Sequence, residues 1–328
     1  VSATFSSSLA NKCIKFNFAI DPEKMTTLSD TPSDFINYWA RAKRELAAVE
    51  PQYKLIKVDS LSTPARDCCL VEMRSLGNVL VRAWLLTPKK AGNYPAVLSL
   101  PGHTSFMQPK TLFNDDKFVS MGLDIRGHGN SKDNVNPGFS FPGYICYQLE
   151  DKEQFIYRGA YMDCVRAIEF LFSRSDVDTS RVAVEGGSQG GALSFATAAF
   201  CGNRIKAVVA AVPFLSNFPE YMKVAPNWPS NEWKEYAKIH SLDISSVLKT
   251  LSYFDIKNLA PLITAPLFMG VGLVDITCPP RINFAAYNNL KVEKKYIVYP
   301  NSGHAIPGEF RNLMEKFIKD KLGIISTQ

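Results

Sequence analysis

The chain is expected to be an α/β protein with a mostly parallel central sheet and helices on both faces, and three observations predict it. From residue 95 onward, short apolar runs at 96–100, 118–125, 182–185, 207–212, 267–271 and 296–299 alternate with helix-like stretches near 159–173, 192–200, 282–289 and 309–319. One of those runs, Val182 to Glu185, leads straight into a glycine-flanked serine and then into a helix-forming stretch from Ala192. Finally, 328 residues with 46% hydrophobic side chains suffice to bury a large core, as one large domain or two smaller ones.

Taken in order, residues 3–6 and 13–20 read as β pieces, the second alternating apolar and polar side chains before Asp21-Pro22 breaks it. Residues 1–20 are therefore assigned to an N-terminal strand, either the remnant of a preceding β domain or an arm on the main one. Residues 21–328 form the main domain. The chain opens on Val1 rather than Met, which implies missing upstream sequence. Compartment stays open between cytoplasmic and periplasmic or secreted.

Residues 31–49 are expected to be a helix, with Thr31 as cap, Pro32 at the first position and Phe35, Tyr38, Trp39, Ala42 and Leu46 on one face. Two antiparallel strands follow at 69–74 and 79–86, joined by a turn at 76–78. Two stretches break the later alternation: 130–157, rich in Asn, Pro, Gly and aromatics, and 214–260, which carries Trp228, Trp233 and Tyr236. Insertions of this kind over strand ends form lids or substrate walls.

Composition excludes several classes. The net charge is +6, but Lys and Arg are scattered, with no basic stripe interleaved with aromatics, so nucleic acid is not expected as a partner. No apolar run approaches the roughly 20 residues that span a bilayer. Seven cysteines (13, 68, 69, 146, 164, 201 and 278) have no metal-ligand rhythm, and free, mostly buried thiols are expected. No metal or organic cofactor is implied.

Gly186-Gly187-Ser188-Gln189-Gly190 fits G-x-S-x-G, in which a tight strand-to-helix turn pushes the serine hydroxyl into a cleft. Glycines flank it because neighbouring backbones pass too close for a Cβ. A serine hydroxyl is a weak nucleophile at neutral pH and needs a base, and the base needs an orienting acid. In the α/β-hydrolase fold that such a turn marks, the chain order is nucleophile, acid, histidine.

Four histidines are available. His103 and His128 precede the serine, and His240 lies in a charged helical patch of the second insertion. His304, just past the last predicted strand, takes the base position. Among carboxylates between Ser188 and His304, Asp275 directly follows a strand and is assigned as the acid, with Asp255 in reserve. The oxyanion donors are assigned to the backbone N–H of Gln189 and, from the loop Pro101-Gly102-His103-Thr104, to that of His103. The His103 imidazole is alternatively a satisfied polar group near the site. Arg126 is expected to pin loops through its planar guanidinium, and His128 to be structural beside it.

The sequence resembles the acetyl xylan esterase / cephalosporin C deacetylase family, carbohydrate esterase family seven, from about residue 30 to 320. The matching segments include Gly186-Gly-Ser-Gln-Gly190, Asp163-Cys-Val-Arg-Ala-Ile-Glu169 and Gly272-Leu-Val-Asp-Ile-Thr-Cys-Pro-Pro280. The resemblance implies the triad Ser188, Asp275 and His304, and a homo-oligomer, commonly a hexamer. Three departures surround one pocket and leave the triad intact. Arg126-Gly127-His128 stands where the family has Arg-Gly-Gln, Ala305 follows His304 where it has Glu, and His103 replaces an oxyanion-loop Tyr.

The function expected is a serine carboxylesterase that removes acetyl groups from a small acetylated carbohydrate or similar ester through an acyl-serine intermediate. Its rivals are a serine peptidase of the prolyl-oligopeptidase type and a hydrolase-fold binding protein with a dead site.

Overall fold

The computed structural model describes residues 2–7, 12–225 and 227–324. Strands β1 (Ser2–Ser7) and β2 (Lys12–Asn17) pair antiparallel as a separate two-stranded sheet. Helix α1 (Phe35–Ala47) buries the five residues that its period placed on one face, Phe35, Tyr38, Trp39, Ala42 and Leu46. It begins later than its sequence signals. Thr31 does not cap it, because its hydroxyl donates instead to Oδ1 of Asn258 (2.9 Å), and Asp34 takes the N-cap position.

The main sheet has nine strands in the order β11-β10-β9-β8-β6-β7-β5-β4-β3. Strands β3 (Lys54–Lys57), β4 (Arg66–Ser75) and β5 (Val79–Pro88) form its antiparallel edge, and β5 pairs antiparallel with β7 (Val119–Asp124). Strands β6 (Tyr94–Leu100), β7, β8 (Val177–Gly187), β9 (Ala207–Ala211), β10 (Leu267–Gly272) and β11 (Lys294–Tyr299) are parallel to one another. This is the α/β-hydrolase arrangement expected.

The central strands β6, β7, β9 and β10 are apolar along most of their length because both faces are covered. Side chains alternate across the sheet. Ala96, Leu98, Val182, Val184, Val208, Ala210, Leu267 and Met269 join the core shared with α1, α2 (Ile156–Phe172), α3 (Gln189–Cys201) and α8 (Pro280–Asn289). Val97, Ala183, Ala207, Val209 and Phe268 face the other way, against Phe310, Met314 and Ile318 of α9 (Glu309–Lys321). Helix α3 is apolar almost all round and packs against both the sheet and its neighbour α2. Its two buried hydroxyls are satisfied locally, Ser194 donating to the Gly190 carbonyl (2.8 Å) and Thr197 to that of Leu193 (2.7 Å).

The second insertion folds into α4 (Phe218–Val224), α5 (Ser230–Ile239), α6 (Ile244–Ser252) and α7 (Ile256–Leu259). The first is irregular apart from one turn at Tyr144–Cys146. The two are bonded to each other: Gly143 N–H donates to Glu232 Oε1 (3.1 Å), Trp233 Nε1 to the Ile145 carbonyl (3.2 Å) and Tyr236 Oη to Glu150 Oε2 (2.6 Å). Six described cysteines are free thiols, with Cys68, Cys146, Cys164 and Cys278 buried. Among the described residues no helix is long and apolar enough to cross a membrane.

Candidate active site

Ser188 sits between the end of β8 and the first residue of α3 with φ 56° and ψ −118°. A non-glycine residue held there costs on the order of 1–3 kcal/mol and persists only where its surroundings impose it. Here Ser188 N–H donates to the Ala211 carbonyl (2.8 Å), and the Ser188 carbonyl accepts from Phe214 (3.0 Å) and Ala192 (3.1 Å). The flanking glycines are obligatory for space. A Cβ on Gly190 would lie 2.2 Å from the Leu100 carbonyl oxygen, and one on Gly186 would lie 2.5 Å from the backbone of Gly190.

The three residues assigned to the triad come together. His304 Nε2 lies 2.9 Å from Ser188 Oγ, and His304 Nδ1 lies 2.8 Å from Asp275 Oδ2. The other carboxylate oxygen of Asp275 accepts from the backbone N–H groups of Thr277 (2.8 Å) and Cys278 (2.9 Å), and its side chain is fully buried. With both oxygens acting as acceptors, the carboxylate fixes the imidazole proton on Nδ1. The Nε2 lone pair then faces the serine hydroxyl. The acid and base loops are tied together, Leu273 N–H donating to the Tyr299 carbonyl (3.1 Å) and Val274 N–H to that of Ser302 (3.1 Å).

The reserve acid lies elsewhere. Asp255 is buried as the cap of α7, accepting from Lys257 N–H (2.9 Å) and Phe218 N–H (3.3 Å). His240 is exposed at the end of α5 and stacks on Tyr236. Arg126 is buried and grips Asp163 through Nε (2.9 Å) and Nη2 (2.7 Å), while Nη2 also reaches the Leu76 carbonyl (3.0 Å). It thus joins the loop after β7 to α2 and to the β4–β5 turn.

The backbone N–H of Gln189 is the first of α3 and has no acceptor within the helix. The loop carrying the other assigned donor runs past the elbow, Gly102 facing the Gly187 carbonyl. The His103 ring leans against Trp228 (centroids 5.1 Å) and Phe139 (5.1 Å), so both insertions wall this side of the site. The sequence singles out Trp228 and His103 but neither Phe139 nor Tyr157, whose hydroxyl donates to Gln189 Oε1 (2.8 Å). Among the described residues no cluster of His, Cys, Asp or Glu is arranged to hold a metal ion.

Two histidines near the serine are held neutral. Burial pushes the His103 imidazole down to about 4, and burial together with neighbouring His103 pushes His128 down to about 3. Below their ordinary value both rings bind fewer protons in the folded chain than in the unfolded one. Their cost to stability is absent above about pH 7 and grows as pH falls from about 6.5 toward 4, by up to about 1.4 kcal/mol per pH unit for each ring. Urea midpoints should therefore drop between about pH 7.5 and pH 5; an unchanged midpoint would contradict the burial of neutral imidazoles.

The chain matches the acetyl xylan esterase (AXE1) family over residues 21–321. It is 30% identical over 302 residues to the acetyl esterase Axe7A of Xylanibacter ruminicola, covering 89% of this chain and 67% of that protein. Among solved structures, acetyl xylan esterase 1 from Thermoanaerobacterium sp. JW/SL YS485 superposes with TM-score 0.85 at 30% identity, covering 95% of this chain and all of that one. The acetyl xylan esterase from Paenibacillus sp. R4 gives 0.84 at 28%, covering 92% of this chain and 98% of that one. A match over residues 21–321, nearly the whole main domain, places this chain in the acetyl xylan esterase family.

Proposed function

We propose that residues 21–328 form a serine carboxylesterase that removes acetyl groups from acetylated sugars, with Ser188, His304 and Asp275 as its triad. The observation that carries this reading is the continuous hydrogen-bonded chain Ser188 Oγ–His304–Asp275 at 2.9 and 2.8 Å. Ser188 Oγ attacks the acetyl carbonyl carbon as its proton passes to His304 Nε2. The oxygen that becomes negative is met by the N–H groups of Gln189 and His103, each such donor being worth roughly 3–4 kcal/mol in the transition state. His304 then returns the proton to the departing sugar hydroxyl, leaving acetyl-Ser188. A water enters, gives a proton to the same nitrogen and attacks the acetyl carbon; His304 then returns that proton to Ser188 Oγ as the bond to the acetyl carbon breaks, and acetate leaves.

The aromatic side chains beside the oxyanion loop support a carbohydrate alcohol. Trp228 is half-buried, held by its Nε1 donating to Glu232 Oε2 (2.7 Å), and packs on His103. It also stacks on Phe214 (centroids 6.0 Å), and a half-buried amphipathic ring of this kind suits contact with the apolar part of a sugar. Acetate release from acetylated xylo-oligosaccharides, a cephalosporin-type ester and acetylated glucomannan, beside a peptide anilide, tests the reading. The expected result is turnover of the acetylated sugars and none of the anilide. Cleavage of the anilide with no acetate released would overturn it.

A further inference from the structure

We infer that His128 is a positioning residue, which, acting through the side chain of Gln189, holds the two oxyanion donors at their working separation. This rests on the esterase reading above. Three groups bond the buried Gln189 carboxamide, with the His103 imidazole also beside it: the hydroxyl of Tyr157 at Oε1 (2.8 Å), the Pro101 carbonyl at Nε2 (3.4 Å) and Nε2 of His128, also at the amide nitrogen (3.0 Å). A carbonyl only accepts, so the group facing Pro101 must be the NH2. Oε1 therefore accepts from Tyr157, and the second amide hydrogen points at His128.

That hydrogen needs a lone pair, so His128 must be neutral with its proton on Nδ1. The ring is fully buried among His103, Phe139 and Tyr144, and burial together with His103 and the positive charge of Lys132 lowers its proton affinity, which favours the neutral ring. Its Nδ1 makes no hydrogen bond among the described residues, so the acceptor role of Nε2 rests on the Gln189 amide geometry alone. The Arg126 carbonyl accepts from Tyr144 Oη (3.0 Å).

The mechanical consequence is a crossing strap. Gln189 supplies one donor from its own backbone, while its side chain reaches the carbonyl of Pro101, two residues before the other donor, His103. His128 fixes that side chain from behind. If His128 is replaced by an apolar residue, a buried N–H of Gln189 loses its acceptor, the carboxamide turns, and the loop is free to drift from the elbow. Substrate binding does not depend on this spacing, whereas stabilisation of the tetrahedral intermediate does, so kcat should fall and KM should not.

The test pairs two variants with a spectroscopic measurement. His128→Leu is expected to lower kcat by roughly 10- to 100-fold with KM changed by less than about twofold. His128→Gln can present a carbonyl oxygen to the same amide hydrogen and should keep kcat within about threefold. Long-range proton–nitrogen NMR of the wild-type imidazoles should show His128 as the neutral Nδ1–H tautomer from roughly pH 8 to pH 5. Wild-type kcat in the Leu variant, equal losses in both variants, or an Nε2–H or doubly protonated ring would each overturn the inference. The NMR result does not depend on turnover. A wild-type enzyme with no esterase activity would therefore defeat the proposed function while the ring's tautomer still decides the strap.

Discussion

Ser188→Ala is expected to lower kcat for acetyl-ester hydrolysis by about 10⁶-fold while leaving the fold in place. The hydroxyl is the only atom that the substitution removes, and the backbone bonds that hold the elbow, from Ser188 N–H to Ala211 and from Phe214 and Ala192 to the Ser188 carbonyl, do not involve it. Alanine also tolerates the same positive φ no worse than serine. Thermal unfolding should therefore shift by no more than about 3 °C, since about 0.5 kcal/mol is the usual scale for a change away from packing and caps. Residual hydrolysis above the uncatalysed rate reflects the oxyanion donors alone. Acetate release measured in parallel with a melting curve checks both halves, and undiminished turnover would remove Ser188 from the mechanism.

Asp275→Asn should cost about 10⁴-fold in kcat, through a tautomer rather than through lost contact. The backbone N–H groups of Thr277 and Cys278 both point at Oδ1 of Asp275, so an asparagine there must turn its carbonyl oxygen toward them. Its NH2 then faces Nδ1 of His304. The imidazole is forced to accept at Nδ1 and to carry its proton on Nε2, the nitrogen that should be taking the proton from Ser188. Isosteric geometry is retained and the base is disabled. Steady-state kinetics with p-nitrophenyl acetate measures the effect, and a loss below about tenfold would show that the carboxylate does not set the tautomer.

Much of this was legible in the chain because it is local. The strand–turn–helix around Ser188 is written in consecutive residues, and the acid and base follow strand ends in a fixed order. Where local signals competed with distant partners, the reading shifted. Thr31 and Pro32 have the form of a helix start, yet the Thr31 hydroxyl is claimed by Asn258 and the helix begins at Phe35. Strand β8 runs from Val177 because Tyr94 of β6 pairs with that residue, although Asp178 to Arg181 are polar and the apolar run starts only at Val182.

The surroundings of Gln189 were beyond reach for a stronger reason. Tyr157, Pro101 and His128 meet one carboxamide from three separate parts of the chain. No periodicity or spacing encodes such a meeting; it follows only once the sheet order has brought the ends of β6, β7 and β8 side by side. The aromatic wall of His103, Phe139 and Trp228 has the same origin, each ring coming from a different loop.

The most direct measurement is labelling by a fluorophosphonate, which needs an activated serine but no particular substrate, with the modified peptide located by mass spectrometry in the wild type and in His304→Ala. Labelling confined to Ser188 in the wild type and slowed at least about 10³-fold in the variant is the predicted result. A label on another residue, or an equal rate without His304, would contradict the hydrogen-bonded triad as the source of the activity.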